Sequence, residues 1–326
     1  MTDAYIITGF LGSGKTTFLR NLIKPFYHKK IGLIINEFGK AGVDGTLLSG
    51  IGAELTEICG GSIFCSCRMD QFEIALKTML SIDLDAVFVE TSGLADPTGV
   101  KAMLGAEPWF GLIRLRLCIG LADPITLPKV YATARVCRRQ LSVCDAIILN
   151  KVDLADEAGI NEAKRIVLTQ NPNAMITEAV FGHIESGWLE ATVNESGRRK
   201  SMDGDAWGGM AEPHTAHIAD LSLRRLTLAF SGSVAYDDLL GFLKYVAEDT
   251  YRIKGFVSVG GATHLVDCVG GIVEVKPYLR NDGIAYMVAV PMPNQVTVLY
   301  GNGLPARSAI NEAIKLFPSL SVEIID

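Results

Sequence analysis

The run Gly9-Phe10-Leu11-Gly12-Ser13-Gly14-Lys15-Thr16 sets glycines, a lysine and a hydroxyl at the spacing GxxxxGK[ST]. Glycines let successive backbone N–H groups turn inward, and the resulting concavity suits phosphate oxygens. A helix starting at this point adds the partial positive charge of its N-terminus. In such a cradle Lys15 reaches the β- and γ-phosphates, and the Thr16 hydroxyl ligates Mg²⁺. Gly12, Ser13, Gly14, Lys15, Thr16 and Thr17 are therefore the residues expected to hold a nucleotide's phosphates. Lys15 is also expected to neutralise charge during phosphoryl transfer.

Two further motifs fit a nucleotide. Asn150-Lys151-Val152-Asp153 follows the apolar run 146–149 and has the form NKxD. Asp153 can accept from both N1–H and the exocyclic amine of guanine, a donor pair that adenine does not present. Asn150 and the stem of Lys151 are expected to frame the ring. Upstream, Glu90 ends the apolar stretch 85–90 and is followed by Thr91-Ser92-Gly93. A carboxylate at that position suits Mg²⁺, and the Gly93 N–H is placed to sense a γ-phosphate. Asn36-Glu37-Phe38-Gly39 opens a polar loop that runs to Asp44. Glu37 is a candidate for orienting the attacking water and Asp44 for the Mg²⁺ shell; both read equally as solvated loop carboxylates.

Positioning these residues requires strands that end together with helices behind them. Short apolar runs at 5–8, 31–36, 85–91, 115–121, 146–151 and 174–181 read as strands. Helical patterns are expected from residue 16 to near Pro25, and over 69–80, 127–141 and 157–170. Alternation of this kind predicts an α/β domain with a mostly parallel sheet, a P-loop NTPase arrangement spanning 1–185. Residues 186–213 lose the pattern and carry Gly187, Gly197, Gly204, Gly208 and Gly209, so they read as a linker. From 214 to 326 the alternation becomes that of a smaller α+β domain. Its strands are expected at 221–230, 256–259, 272–275, 286–291 and 295–300, with helices at 236–248 and 305–316.

The net charge of −6 argues against a broad nucleic-acid footprint. No apolar run is long enough for a membrane span, and the first residues carry no signal-type stretch, so a cytoplasmic location is expected. Seven cysteines are an odd number for disulfide stapling. Cys59, Cys65 and Cys67 cluster in one short segment. They suit a transition metal such as Zn²⁺ or Co²⁺, and they suit equally a set of inert thiols.

Taken together, the motifs resemble the CobW family of P-loop GTPases, relatives of the HypB and UreG metallochaperones. The matching stretches are residues 8–17 (TGFLGSGKTT), 36–39 (NEFG), 90–97 (ETSGLADP) and 150–154 (NKVDL). Residues 252–256 (RIKGF) are similar to the family's RxKG turn. The resemblance implies GTP and GDP as ligands with Mg²⁺, and slow GTP hydrolysis. It also implies coupling to zinc, cobalt or nickel delivery, or to cobalamin and corrinoid metabolism. A client metalloprotein or corrinoid protein follows as partner, and a homodimer is an open state. One departure stands out. Where the family carries GCxCCxxR, this chain has Gly61-Ser62-Ile63-Phe64-Cys65-Ser66-Cys67-Arg68, so Ser62 and Phe64 replace two cysteines. That favours an alternative: a nucleotide-switched binding or assembly protein for a corrinoid protein or methyltransferase, with no free-metal handling. A small-molecule P-loop kinase is a further rival, disfavoured by the NKxD motif.

Overall fold

The computed structural model describes residues 1–26, 28–37, 54–59, 69–105, 109, 111–202, 223–232, 234–278 and 294–325. The chain separates into two compact units. One comprises Met1–Tyr131 with Arg135–Ala219, the other Asp220–Asp326 with Ala132–Ala134.

In chain order the first unit contains β1 (Thr2–Gly9), α1 (Lys15–Leu22), β2 (Ile31–Glu37), β3 (Glu54–Cys59), α2 (Met69–Leu80), β4 (Ala86–Glu90) and α3 (Thr98–Leu104). It continues with β5 (Ile113–Ala122), α4 (Leu127–Thr133), α5 (Arg135–Ser142), β6 (Ala146–Asn150), α6 (Glu157–Gln170), β7 (Met175–Ala179) and α7 (Trp188–Met202). The strands form one seven-stranded sheet in the order β3-β2-β4-β1-β5-β6-β7. Every pair in it is parallel. Central strands of such a sheet lie under helices on both faces, which explains why β4 (AVFVE) and β6 (AIILN) are buried at every position. Tyr5, Ile7, Phe18, Leu19, Leu33 and Phe88 form the core on the α1 side of the sheet. Because all strands run the same way, their C-terminal ends gather the loops that follow β1, β4, β6 and β7 at one edge.

Two expectations about this unit are corrected. The helix expected over 127–141 is two helices that meet at Ala134. Tyr131 O, which a continuous helix would give to the next turn's amide, accepts from Arg138 Nε at 2.9 Å. The stretch read as the start of a linker is instead helix α7. Trp188, Leu189 and Val193 pack that helix against the first core, and the Trp188 indole N–H donates to Thr177 Oγ1 at 2.9 Å. Gly187, Gly197 and the surrounding polar residues conceal this apolar stripe in the sequence.

The second unit contains β8 (Leu223–Ser231), α8 (Tyr236–Ala247), β9 (Arg252–Val259), β10 (Ala262–Val269), β11 (Ile272–Pro277), β12 (Gln295–Gly301), α9 (Ala306–Leu316) and β13 (Ser321–Ile325). Its six-stranded sheet, β11-β10-β9-β12-β8-β13, is antiparallel throughout. Leu226, Leu228, Val257, Val266, Val296 and Val298 alternate onto one face, against Leu239, Phe242, Leu243 and Ile310 from α8 and α9. The strand expected at 286–291 lies outside the described residues. Among the described residues no helix is long and apolar enough to cross a membrane.

Candidate nucleotide-binding site

The loop between β1 and α1 turns around a single carbonyl. Phe10 O accepts from Ser13 Oγ at 2.9 Å, from Lys15 Nζ at 3.1 Å and from Ser13 N–H at 3.4 Å. Lys15 is a buried cation, and a buried ammonium requires acceptors; Phe10 O is one of them. The loop therefore keeps Lys15 folded over its own backbone, at the N-terminus of α1. Gly14 caps that helix with φ of 95°, in the left-handed region. A Cβ on Gly14 would also stand 2.3 Å from Asn150 Nδ2, so only glycine fits here.

Thr16 Oγ1, in the first turn of α1, donates to Glu90 Oε1 at 2.9 Å. Glu90 is buried at the end of β4. The next residue, Thr91, donates its N–H to Ile7 O at 2.8 Å and its hydroxyl to Thr8 Oγ1 at 2.9 Å. These bonds lock the ends of β1 and β4 side by side. A hydroxyl and a carboxylate held together in this way are hard oxygen donors, the set that Mg²⁺ prefers.

The loop after β4 is tied back to α5 rather than left loose. Gln140 Nε2 donates to Gly93 O at 3.2 Å and to Ala95 O at 3.0 Å. Arg139 pairs with Asp96 at 2.6 Å, while Asp96 Oδ1 accepts from the N–H and hydroxyl of Thr98 at the start of α3. Sequence reasoning passed over Gln140. Its signal was a polar residue on the buried stripe Val136-Cys137-Leu141, where it is only 2% exposed.

Beyond β6, the Asn150 side chain is held by the protein at both ends. Its amide is 2% exposed and both ends are engaged: Nδ2 donates to Ser13 O at 2.9 Å, and Oδ1 accepts from Gly182 N–H at 2.8 Å. Asn150 thus braces the phosphate loop against the turn that follows β7. Lys151 adopts φ of 65°, and its ammonium pairs with Asp123 at 3.0 Å. Asp123, a carboxylate at the end of β5 that the motifs did not indicate, also accepts from Ile125 N–H. Asp153 lies on the short 3₁₀ turn Val152–Leu154 with its side chain exposed at the same edge. Gly12, Ser13, Gly14, Lys15, Thr16, Thr17, Glu90, Gly93, Asn150, Lys151 and Asp153 thus all belong to the C-terminal edge of β1, β4 and β6 or to the helix that follows β1.

The remaining candidates are described only in part. Glu37 and Cys59 end β2 and β3 and are register partners in the parallel pair; their side chains lie outside the described residues. Asp44, Ser62, Phe64, Cys65 and Cys67 lie wholly outside them. Among the described residues no three His, Cys, Asp or Glu side chains gather as a metal site. Cys118, Cys137, Cys144 and Cys268 are buried, and desolvation pushes the Cys137 and Cys268 thiols up to about 12.

Comparison with known proteins adds four findings. The family model for the CobW/HypB/UreG nucleotide-binding domain matches residues 3–178. The chain is 30% identical over 315 residues to a zinc chaperone CobW of Sinorhizobium sp., covering 83% of this chain and 86% of that protein. It is 40% identical over 162 residues to the zinc chaperone YeiR of Escherichia coli, covering 47% of each. Among solved structures, Zn(II)-bound YjiA GTPase from E. coli aligns over 97% of this chain and 98% of its own, at 20% identity and a TM-score of 0.44.

Proposed function

The chain belongs to the CobW/HypB/UreG family of P-loop GTPases, and on that premise we propose that it hydrolyses GTP to GDP and phosphate to drive delivery of a transition metal to a client protein. The observation that carries this reading is the Asn150 brace. One side chain joins the phosphate loop to the segment that would hold a base, so base and phosphate contacts share one rigid frame.

Hydrolysis proceeds by attack of water on the γ-phosphate, and the protein's part is positioning and charge neutralisation. Lys15 and the inward-facing amides of residues 12–17 balance the phosphate oxygens. Thr16 and Glu90 would hold Mg²⁺, which supplies further charge neutralisation at the β- and γ-phosphates; Asp44 is a candidate for the same shell. Gly93 follows Glu90 on a loop whose carbonyls are tied to Gln140, and its N–H is the proposed γ-phosphate sensor. Glu37 is the proposed water-orienting residue. Its backbone register supports this: Ile35 is level with Glu90, and Glu37 lies two residues further toward the same edge.

Zinc is the cargo we favour, because the two relatives described above carry that metal in their names. Co²⁺ suits the same soft ligands, and Cys59, Cys65 and Cys67 are the proposed donors. The client proposed is a metalloprotein or a corrinoid protein, and the location proposed is cytoplasmic. The proposed division is a P-loop GTPase domain that takes in α7 and a C-terminal domain from residue 214, joined by a linker after α7. Ser62 and Phe64 favour a second reading, in which the GTP cycle switches the assembly of a corrinoid protein or methyltransferase without free metal.

Phosphate release tests the shared part of both readings. Wild-type protein turns over GTP with Mg²⁺ and leaves ATP essentially untouched, and Lys15→Ala lowers turnover at least a hundredfold with unchanged circular dichroism. Undiminished turnover in Lys15→Ala, or equal turnover of ATP, contradicts the proposal.

A further inference from the structure

The segment Val180-Phe181-Gly182 leaves the sheet directly after β7, beside the turn that carries Lys151 and Asp153. The parallel register sets Asn150 level with Ala179, so both turns emerge from adjacent strands at the same height. Phe181 has two properties that folding alone disfavours. Its side chain is 70% exposed, and its φ of 50° lies in the left-handed region that L side chains rarely adopt. Gly182 continues in that region with φ of 65°, and a Cβ there would stand 2.7 Å from Phe18 Cα.

This backbone is held from both sides. Asn21 Nδ2 of α1 donates to Phe181 O at 3.0 Å, and Gly182 N–H donates to Asn150 Oδ1 at 2.8 Å. The residue that braces the phosphate loop therefore also fixes the turn that presents Phe181. Among the described residues its ring pairs with no other aromatic side chain. A strained backbone over-determined by its surroundings, carrying an aromatic ring into solvent, is the pattern of a preformed ligand contact.

The geometry points to Phe181 as a base-stacking residue: its ring covers one face of the bound purine while Asp153 reads the edge. The inference rests on the guanine reading of Asn150–Asp153 and divides its labour. Edge contacts discriminate between bases, whereas a stacked ring strengthens binding of any purine because every base has a π-face. An exposed Phe181 that instead serves a protein partner would leave nucleotide affinity unaltered.

Calorimetric titration of GDP into the full-length protein tests this. Phe181→Ala and Phe181→Gly should weaken GDP binding by about 5- to 150-fold, the range of a lost base–aromatic stack, while Phe181→Tyr stays within about threefold of wild type. Phe181→Gly also separates binding from folding. Glycine relaxes the left-handed φ, so its melting temperature should equal or exceed that of wild type even as affinity falls. GDP affinity within twofold of wild type in both Ala and Gly variants, with GDP still preferred over ADP, overturns the stack and leaves the guanine reading intact. Wild type that binds ADP as well as GDP overturns the guanine reading, and an equal loss for both nucleotides in Phe181→Ala then still upholds the stack.

Discussion

The Thr16 hydroxyl donates to Glu90 Oε1 at 2.9 Å, joining the first turn of α1 to the end of β4 across 74 residues of chain. The pair presents two hard oxygens beside the phosphate loop, and its fit to Mg²⁺ has a measurable consequence. Thr16→Ala and Glu90→Gln should each raise the Mg²⁺ concentration for half-maximal GTP turnover by roughly tenfold, about 1.4 kcal/mol of metal binding. A magnesium titration of phosphate release checks it. Half-saturation at the wild-type concentration in both variants would remove these residues from the metal shell.

Asn150 carries a stability prediction. Asn150→Ala leaves Ser13 O and Gly182 N–H without their buried partner, at a cost of about 1–3 kcal/mol for each unsatisfied group. Urea unfolding of the nucleotide-free protein should show a loss of about 2–4 kcal/mol, together with weaker GDP binding. An unchanged midpoint would mean that the brace contributes little to the resting fold.

Asp153 is exposed and holds no part of the core, so its removal should act on the base alone. Asp153→Ala is expected to lower GTP affinity by about 2–4 kcal/mol, the value of two hydrogen bonds to a charged acceptor, with weak ATP binding little changed. Competition with a fluorescent guanine nucleotide measures the difference. A parallel loss for both nucleotides would show that Asp153 shapes the loop instead of reading the base.

Much of this site could be read from residue types and spacing, because chemistry demands them. A phosphate cradle needs Gly12, Gly14, Lys15 and Thr16 in one short run, and a strand-end carboxylate such as Glu90 is conspicuous after an apolar stretch. Central strands were visible for a similar reason: burial on both faces forces continuous apolar runs such as 86–89 and 146–149. The edge strand β3 (ELTEIC) has neither a continuous apolar run nor a regular alternation, because Thr56 and Glu57 are both polar, and it was missed, as were β10 and β13. Gln140 and Asp123 were also overlooked. Each acts through a partner distant in sequence, a backbone carbonyl of the Gly93 loop or the Lys151 ammonium, and no local pattern encodes that pairing.

The buried thiols make a prediction about pH. Cys137 and Cys268 titrate near 12 in the folded chain against an ordinary value of 9.0, because burial penalises the thiolate. The folded state therefore holds more protons than the unfolded state between those values. Stability from this source is complete below about pH 9 and falls as pH rises toward 12, by up to about 1.4 kcal/mol per pH unit for each thiol. Unfolding midpoints of wild type and Cys137→Ala, compared from pH 7 to 11, should converge as pH rises. A constant gap would contradict the assignment. Native protein should likewise expose no more than three of its seven cysteines to a thiol reagent.

The central claim, that the GTP cycle governs metal transfer, depends on coupling between two segments. Glu37 and Cys59 are register partners at the ends of β2 and β3, so the loop toward Asp44 and the segment toward Cys65 and Cys67 leave the sheet from adjacent strands. A change at the γ-phosphate that moves the end of β2 therefore acts on the strand neighbouring the one that leads into the cysteine segment, and a typical coupling of ~1–3 kcal/mol corresponds to roughly 5- to 150-fold in affinity. Thiolates must shed protons to bind metal, so affinity should also rise with pH through the thiol range. The decisive measurement is a Zn²⁺ and Co²⁺ competition titration against a chelating dye, with Mg²⁺ and either GDP or a non-hydrolysable GTP analogue. Metal binding at least fivefold tighter with the GTP analogue, and abolished by Cys65→Ser, is the predicted result. Equal affinities in the two nucleotide states, or affinity indifferent to Cys65→Ser, would contradict metal delivery and leave the nucleotide-switched assembly reading in its place.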